Sequence, residues 1–274
     1  MNPVVKRIVT ALSTAIFVVV ALLWLPLSVV NFALVALVAL VQLEFMQMLS
    51  KKHETMPIVG VALGVALMAS ANYPVKLPEH WSLVHLLRLA PYVFGGLFVL
   101  MWMRALFGRF SSPLAAVGTT LLSVVYIPGM LLALCAIPSF YGVKMLLYVI
   151  AIIKISDMGG FAFGLGSKKL FGDNHKMCPS ISPNKSWEGM FGSIFASCLI
   201  SCLFMPMTAF GFGKSLALGV IAAVVGTLGD LVESRFKREC EVKDSATFMP
   251  AGLGGFLDMF DSLIFAPAVL FPFL

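Results

Sequence analysis

Near the C-terminus, Asp258 and Asp261 open an apolar segment just after the Gly-rich stretch VKDSATFMPAGLGG. Their three-residue spacing puts both carboxylates on one face of a helix. Two such groups repel each other unless a proton or a cation sits between them. At neutral pH an oxygen-seeking divalent ion such as Mg2+ is the natural partner. Asp230 and Glu233, in GTLGDLVES, repeat the spacing one apolar segment earlier. Two acid pairs at matching depth favour a metal site, although an early-turn residue such as Asp258 is also favoured by the helix dipole alone. Glu44, Asp157 and Glu188 are further carboxylates in or at the edge of apolar segments. An ionisable group placed there points by default to function, because lipid solvates it poorly. Glu44 stands alone near one end of its segment and is expected to serve structure. Asp157, Glu188, Asp230, Glu233, Asp258 and Asp261 fall at the same ends of the last four segments, which points to one shared site.

The stretch between the acid pairs, SRFKRECEVKDSATFMPAGLGG, carries Lys237, Arg238 and Lys243 together with Ser245, Gly252, Gly254 and Gly255. Glycines let backbone N–H groups approach an anion, and a helix beginning near Phe256 adds its positive end. Basic side chains supply charge for several phosphate oxygens. A Gly-rich basic loop beside metal-type carboxylates therefore reads as a polyphosphate site. The loop after Asp157 repeats the theme and ends in SPNKSWEG. There Lys185 suits a phosphate, Ser182 and Ser186 are hydrogen-bond donors, and Trp187 is either a base-stacking or an interfacial aromatic. His175 has no ligand partner at useful spacing and is expected to be solvated.

These residues need elements to hold them, and composition says which. Of 274 residues, 60% are hydrophobic and only 12% are charged, so the solvent for much of this chain must be lipid. A helix needs about 20 mostly apolar residues to cross a bilayer. Nine segments qualify, roughly 7–25, 27–49, 56–75, 85–107, 113–137, 141–164, 187–207, 215–236 and 257–274. The first has the basic and apolar regions of a signal peptide but no A-x-A-like cleavage site, and it reads as a retained span. With the N-terminus in the cytoplasm, inside segments hold Lys6, Arg7, Lys51, Lys52, Arg104, Arg109, Lys168, Lys169, Lys176, Lys185, Arg235, Lys237, Arg238 and Lys243. Outside segments keep Lys76, Arg88, Lys144 and Lys214, and Lys154 lies within a span. That asymmetry follows the positive-inside rule.

The expectation is an all-α, polytopic integral membrane protein of about nine transmembrane helices with a cytoplasmic N-terminus. Residues 1–140 form a transmembrane scaffold. Residues 141–274 form the chemical region, with basic cytoplasmic loops at 165–186 and 237–256. The net charge of +6 reflects this topology and two loops facing anionic headgroups, not nucleic-acid binding. Cys135, Cys178, Cys198, Cys202 and Cys240 lack metal-type spacing and read as small buried hydrophobes.

Taken together, Ser234, Lys237-Arg238, Lys243-Asp244, Gly254-Gly255 and Asp258-x-x-Asp261 resemble the C-terminal signature of phosphatidate cytidylyltransferases, the CDP-diacylglycerol synthases. GDLVES, SPNKSWEG and Asp157-x-Gly are also similar to that family, and the likeness covers about residues 154–263. The loop departs from the family's Pro-Gly-His-Gly-Gly, with Leu253 where the His is expected, and Met259 replaces the Arg that commonly follows the first Asp. Lysines or arginines from elsewhere must then take over any phosphate contact of those two groups.

The resemblance implies transfer of CMP from CTP to phosphatidate, giving CDP-diacylglycerol and pyrophosphate for phospholipid synthesis. It implies an active site on the cytoplasmic face of a bacterial inner membrane and a homodimer. Asp230 and Asp258 are expected to bind Mg2+, with Asp261 as a further ligand and Asp244 in support; a second cation such as K+ is compatible with a two-metal centre. Lys237, Arg238 and Lys243 would hold the triphosphate or the lipid phosphate, with Ser234, Gly254 and Gly255 lining the same turn. Lys185, Ser182 and Asp157 would bind nucleotide or lipid headgroup. The competing readings are a CTP-dependent lipid kinase of polyprenol or phytol type and an ion-coupled transporter. The clustering of acids at one membrane edge argues against the transporter.

Overall fold

A computed structural model of the chain describes residues 19–20, 22–71, 83–242, 245 and 255–274. In chain order the helices are α1 (Leu27–Leu49), α2 (Pro57–Ala71), α3 (Leu83–Phe107), α4 (Pro113–Val124) and α5 (Met130–Phe140), followed by α6 (Val143–Phe171). A hairpin of β1 (Lys176–Cys178) and β2 (Ser182–Ser186) precedes α7 (Trp187–Leu203), the short α8 (Met205–Thr208), α9 (Phe212–Glu239) and α10 (Phe256–Leu270). Five stretches are long and apolar enough to cross a membrane: Leu27–Leu49, Pro113–Phe140, Val143–Phe171, Phe212–Glu239 and Phe256–Phe273. Shorter apolar helices cover Pro57–Ala69, Gly95–Phe107 and Trp187–Leu203. The fold is thus an all-α membrane architecture apart from the hairpin. Most of the expected segment 7–25 lies outside the described residues.

Helix boundaries follow local chemistry. Ser112 accepts the Ala115 N–H and Pro113 occupies the first turn of α4, where a missing N–H costs nothing. The span continues through a π turn at Val125–Gly129 that carries Pro128, whose ring cannot supply the regular hydrogen bond. Gly142 (φ 86°) and Gly172 (φ 81°) bracket α6 in the left-handed region that other residues avoid. This helix runs to Phe171, well into the expected loop 165–186, and Lys168 and Lys169 in its last turn complement its dipole. The rest of that loop forms the antiparallel hairpin, with Lys176 opposite Ser186 and Cys178 opposite Ser182.

The main core combines α1, α5, α6, α9 and α10 around Phe45, Leu131, Ile152, Leu218 and Leu263, so it draws on both halves of the chain. A smaller cluster around Leu63, Met101 and Val117 joins α2, α3 and α4. Interhelical hydrogen bonds add the polar glue expected in lipid. Ser201 Oγ donates to the Ser215 carbonyl at 2.7 Å, Ser197 Oγ to the Ile152 carbonyl at 3.1 Å, and Gln42 Nε2 to the Gly60 carbonyl at 2.8 Å. Phe32, Phe98, Leu106 and Phe195 face outward, which suits a lipid-facing surface. Of the five cysteines, Cys135 and Cys240 are buried and Cys178, Cys198 and Cys202 are half-buried.

Candidate functional site

Two glycines decide how α9 meets α10. A Cβ on Gly229 would stand 2.6 Å from the Asp261 carbonyl oxygen, and one on Gly226 would already touch Ser262 at 3.7 Å. Only a bare backbone allows the approach at Gly229, and it brings the next residue, Asp230, to the turn of α10 that carries Asp261. The α6–α7 contact works likewise. A side chain on Gly192 would collide with Phe163, and one on Gly159 with Ala196, so these helices pack backbone to backbone. Lys154 and Asp157 of α6 reach the α9–α10 crossing through Ser262 of α10.

Lysines bracket the carboxylates. Lys185, on β2, donates to Asp230 Oδ2 at 2.8 Å and to the Thr227 carbonyl at 3.1 Å. Lys154 Nζ lies 3.4 Å from Asp157 Oδ2 and 4.0 Å from Asp261 Oδ1. It also donates to Ser262 Oγ at 2.9 Å, and that hydroxyl in turn donates to Asp157 Oδ2 at 2.7 Å. Among the described residues, Asp157, Asp230 and Asp261 thus pair only with Lys154 and Lys185, which leaves one carboxylate charge uncompensated. Asp230 Oδ1 is buried and has no hydrogen-bond partner among the described residues.

A second ionic group lies one turn further along α9. Lys237 Nζ binds Glu233 Oε1 at 2.8 Å and also Asp258 Oδ1. Asp258 Oδ2 accepts the Gly255 N–H at 2.7 Å, so this aspartate caps its own helix. The four acids expected from their spacing to form one cluster therefore divide. Asp230 and Asp261 share the first group with Asp157, whereas Glu233 and Asp258 share Lys237. Among the described residues no three His, Cys, Asp or Glu side chains form a preformed metal cage.

Other residues take roles that sequence reasoning did not assign. Glu188 does not join the acids: its Oε1 lies 2.7 Å from His175 Nδ1 and accepts the His175 N–H at 3.1 Å, tying the hairpin to α7. His175 is nevertheless exposed, as expected of a solvated residue. Arg238 is exposed, and its Nε donates to the Ile181 carbonyl in the hairpin turn at 3.4 Å. Ser186 caps α7 by accepting the Gly189 N–H at 3.1 Å, while Trp187 is exposed. Ser182 and Ser234 are half-buried on β2 and α9. Lys243, Asp244 and Gly254 lie outside the described residues. Sequence reasoning noted Lys154 only as lying within a span and gave neither it nor Ser262 a role in the site, though a Lys three residues before an Asp inside an apolar span is a usable signal. It also left Glu44 outside the site. Glu44 is fully buried and accepts the Leu257 N–H through Oε2 at 2.9 Å.

The arrangement suits a divalent cation only in part. Asp230 and Asp261 fit, having excess negative charge and a buried carboxylate oxygen without a partner among the described residues, while substrate oxygens would complete the coordination shell. Asp258 fits only by releasing Lys237. Chemically, carboxylates flanked by ammonium groups can gather a cation and the oxygens of a polyphosphate at one point.

Residues 5–274 match the model of a family described as the cytidylyltransferase family. The phosphatidate cytidylyltransferase of Staphylococcus aureus (strain COL) is 34% identical over 275 residues, covering 96% of each chain. Those of Staphylococcus haemolyticus (strain JCSC1435) and Staphylococcus epidermidis (strain ATCC 12228 / FDA PCI 1200) are 39% and 40% identical over 131 residues, 47% of this chain and 48% of theirs.

Proposed function

The chain belongs to the cytidylyltransferase family, and on that premise we propose that it transfers the cytidylyl group of CTP to phosphatidate. A phosphate oxygen of phosphatidate attacks the α-phosphorus of CTP. The bond from that phosphorus to the bridging oxygen of the β-phosphate breaks, and pyrophosphate leaves with the electron pair. The nucleophile is already anionic, so charge crowding is the barrier rather than proton removal. The observation that carries this reading is the Gly229 crossing, which sets Asp230 beside Asp261 between Lys154 and Lys185.

Asp230 and Asp261 would hold Mg2+, while Asp258 would stay paired with Lys237. When bound, the cation supplies Lewis-acid neutralisation of phosphate oxygens. Lys185 and Lys154 are pinned to carboxylates that a cation would neutralise. Lys185 would contribute its charge toward the triphosphate and Lys154 toward the lipid phosphate, taking the place of the His and Arg that Leu253 and Met259 replace. Asp157 and Ser262 fix the Lys154 ammonium, and Ser182, Ser234, Arg238 and Gly255 border the same face. With nine spans and a cytoplasmic N-terminus, this face would lie at the inner leaflet of the cell membrane, and the working form would be a homodimer.

The test uses purified protein, phosphatidate and CTP labelled at either the α- or the γ-phosphate. Cytidylyl transfer carries α-label into lipid and γ-label into pyrophosphate. Label moving from the γ-position into lipid would overturn the reading in favour of a lipid kinase.

A further inference from the structure

The end of α1 and the turn after it grip both ends of the Gly-rich segment that joins α9 to α10. At the α10 end, Glu44 reaches a residue 213 positions away and accepts the Leu257 N–H at 2.9 Å. That N–H belongs to the first turn of α10, whose amides have no acceptor within the helix. Glu44 is fully buried, and its other oxygen, Oε1, has no hydrogen-bond partner among the described residues. At the α9 end, Lys52 Nζ donates to the Glu239 carbonyl at 3.0 Å and pairs with Glu241 Oε1 at 3.2 Å. His53 Nε2 lies 3.6 Å from Glu239 Oε1. Between the two grips, Phe45 packs its ring 5.3 Å from Phe236 of α9 and 5.0 Å from Tyr126.

Burying a carboxylate for one backbone hydrogen bond is costly, and the helix already has a local cap in Asp258. A local cap cannot say where α10 begins relative to the rest of the bundle; a cap supplied by another helix can. Glu44 fixes Leu257 against α1, and Lys52 fixes the exit of α9 against the same element. The two grips set the offset between α9 and α10, and with it the offset between Asp230 and Asp261. We propose that Glu44 is a positioning residue for the cytidylyl-transfer centre, and that Glu44 and Lys52 together clamp α10 to α9 through α1. The inference rests on the reading of Asp230 and Asp261 as that centre.

The experiment compares Glu44→Ala, Glu44→Gln and Lys52→Ala by steady-state kinetics and by amide hydrogen exchange of the detergent-solubilised protein. In Glu44→Ala, kcat is expected to fall about 10- to 100-fold, the loss a misplacement near 1 Å produces, with KM for CTP and phosphatidate unchanged. Exchange should accelerate in the peptide containing Leu257 while peptides from α6 and α7 keep wild-type protection. Glu44→Gln retains a carbonyl acceptor and should restore both kcat and protection to within about threefold of wild type. Lys52→Ala removes an exposed side chain and is expected to fold, so it keeps the idea testable if Glu44→Ala does not. It should raise exchange over 239–242 and lower kcat. Unchanged exchange and kcat in Glu44→Ala, or loosening spread evenly through α6 and α7, would overturn the clamp. So would a raised KM for CTP at constant kcat. Asp261→Asn separates the two claims: full activity in that variant defeats the assignment of the centre, while the exchange results still judge the clamp.

Discussion

Lys237 offers a sharp test, because its type suggested a phosphate contact whereas its surroundings make it an internal counter-ion. Its side chain is 12% exposed, and it lies between Glu233, 1% exposed, and Asp258, 19% exposed. At 2.8 Å from Glu233 Oε1, an effective dielectric constant of 20 gives a gross attraction of roughly 6 kcal/mol. Desolvation offsets much of it. What remains decisive is the cost of leaving Glu233 buried without a partner, about 3–5 kcal/mol when one member of such a pair is removed. Lys237→Met keeps the length of the side chain and removes the charge. It is expected to lower the unfolding midpoint of the purified protein in detergent by roughly 6–20 °C, from about 2–4 °C per kcal/mol for a chain of this size. Glu233→Gln in the same chain should recover much of the loss, since it removes the stranded charge. The assay is thermal unfolding followed by thiol-reactive dye, read without substrate so that nucleotide binding cannot contribute. A Lys237→Met protein as stable as wild type, or a Glu233→Gln change that adds damage instead of relieving it, would refute the counter-ion argument.

Asp230→Asn and Asp261→Asn should each lower cytidylyl transfer by about 100-fold or more with the protein still folded, measured with α-labelled CTP. Chelating divalent cations should abolish turnover in wild type and Mg2+ should restore it. Turnover that persists in excess chelator would remove the cation from the scheme. Gly229→Ala should cost about 1–3 kcal/mol and most of the activity, because its new methyl meets the Asp261 carbonyl. Gly118→Ala, with open space around it, should be neutral in the same unfolding and activity assays. Glu54 gives a pH prediction. The N–H groups of Ser112 and Ser111 and the Ser111 hydroxyl hold its carboxylate below the ordinary 4.5. Its contribution to folding is complete above that value and is lost as pH falls through the lowered folded-state value. Acid unfolding should therefore show a Glu54-dependent component that Glu54→Gln lacks.

Much of this molecule is legible in residue type and spacing alone. Apolar run lengths locate eight helical stretches among the described residues, with only α6 running well past its expected end to Phe171, because lipid forces every backbone group to bond within its own segment. The spacing of Asp230 with Glu233 and of Asp258 with Asp261 points to the proposed chemical end of the bundle, since buried carboxylates need a reason to be there. Spacing along one helix cannot say which acids will meet across two. That is decided by Gly229, whose missing side chain lets α9 close on the Asp261 carbonyl of α10 right beside Asp230. The same approach leaves Glu233 and Asp258 to Lys237 and brings Lys154 and Lys185 inward. Glu44 shows the division most clearly. Alone in an apolar helix it signals only that something must satisfy it. Its partner is a backbone amide 213 residues away, which carries no side-chain signature in the sequence. Residue type determined that the charge needed a partner, and only the packing of α1 against α10 determined which.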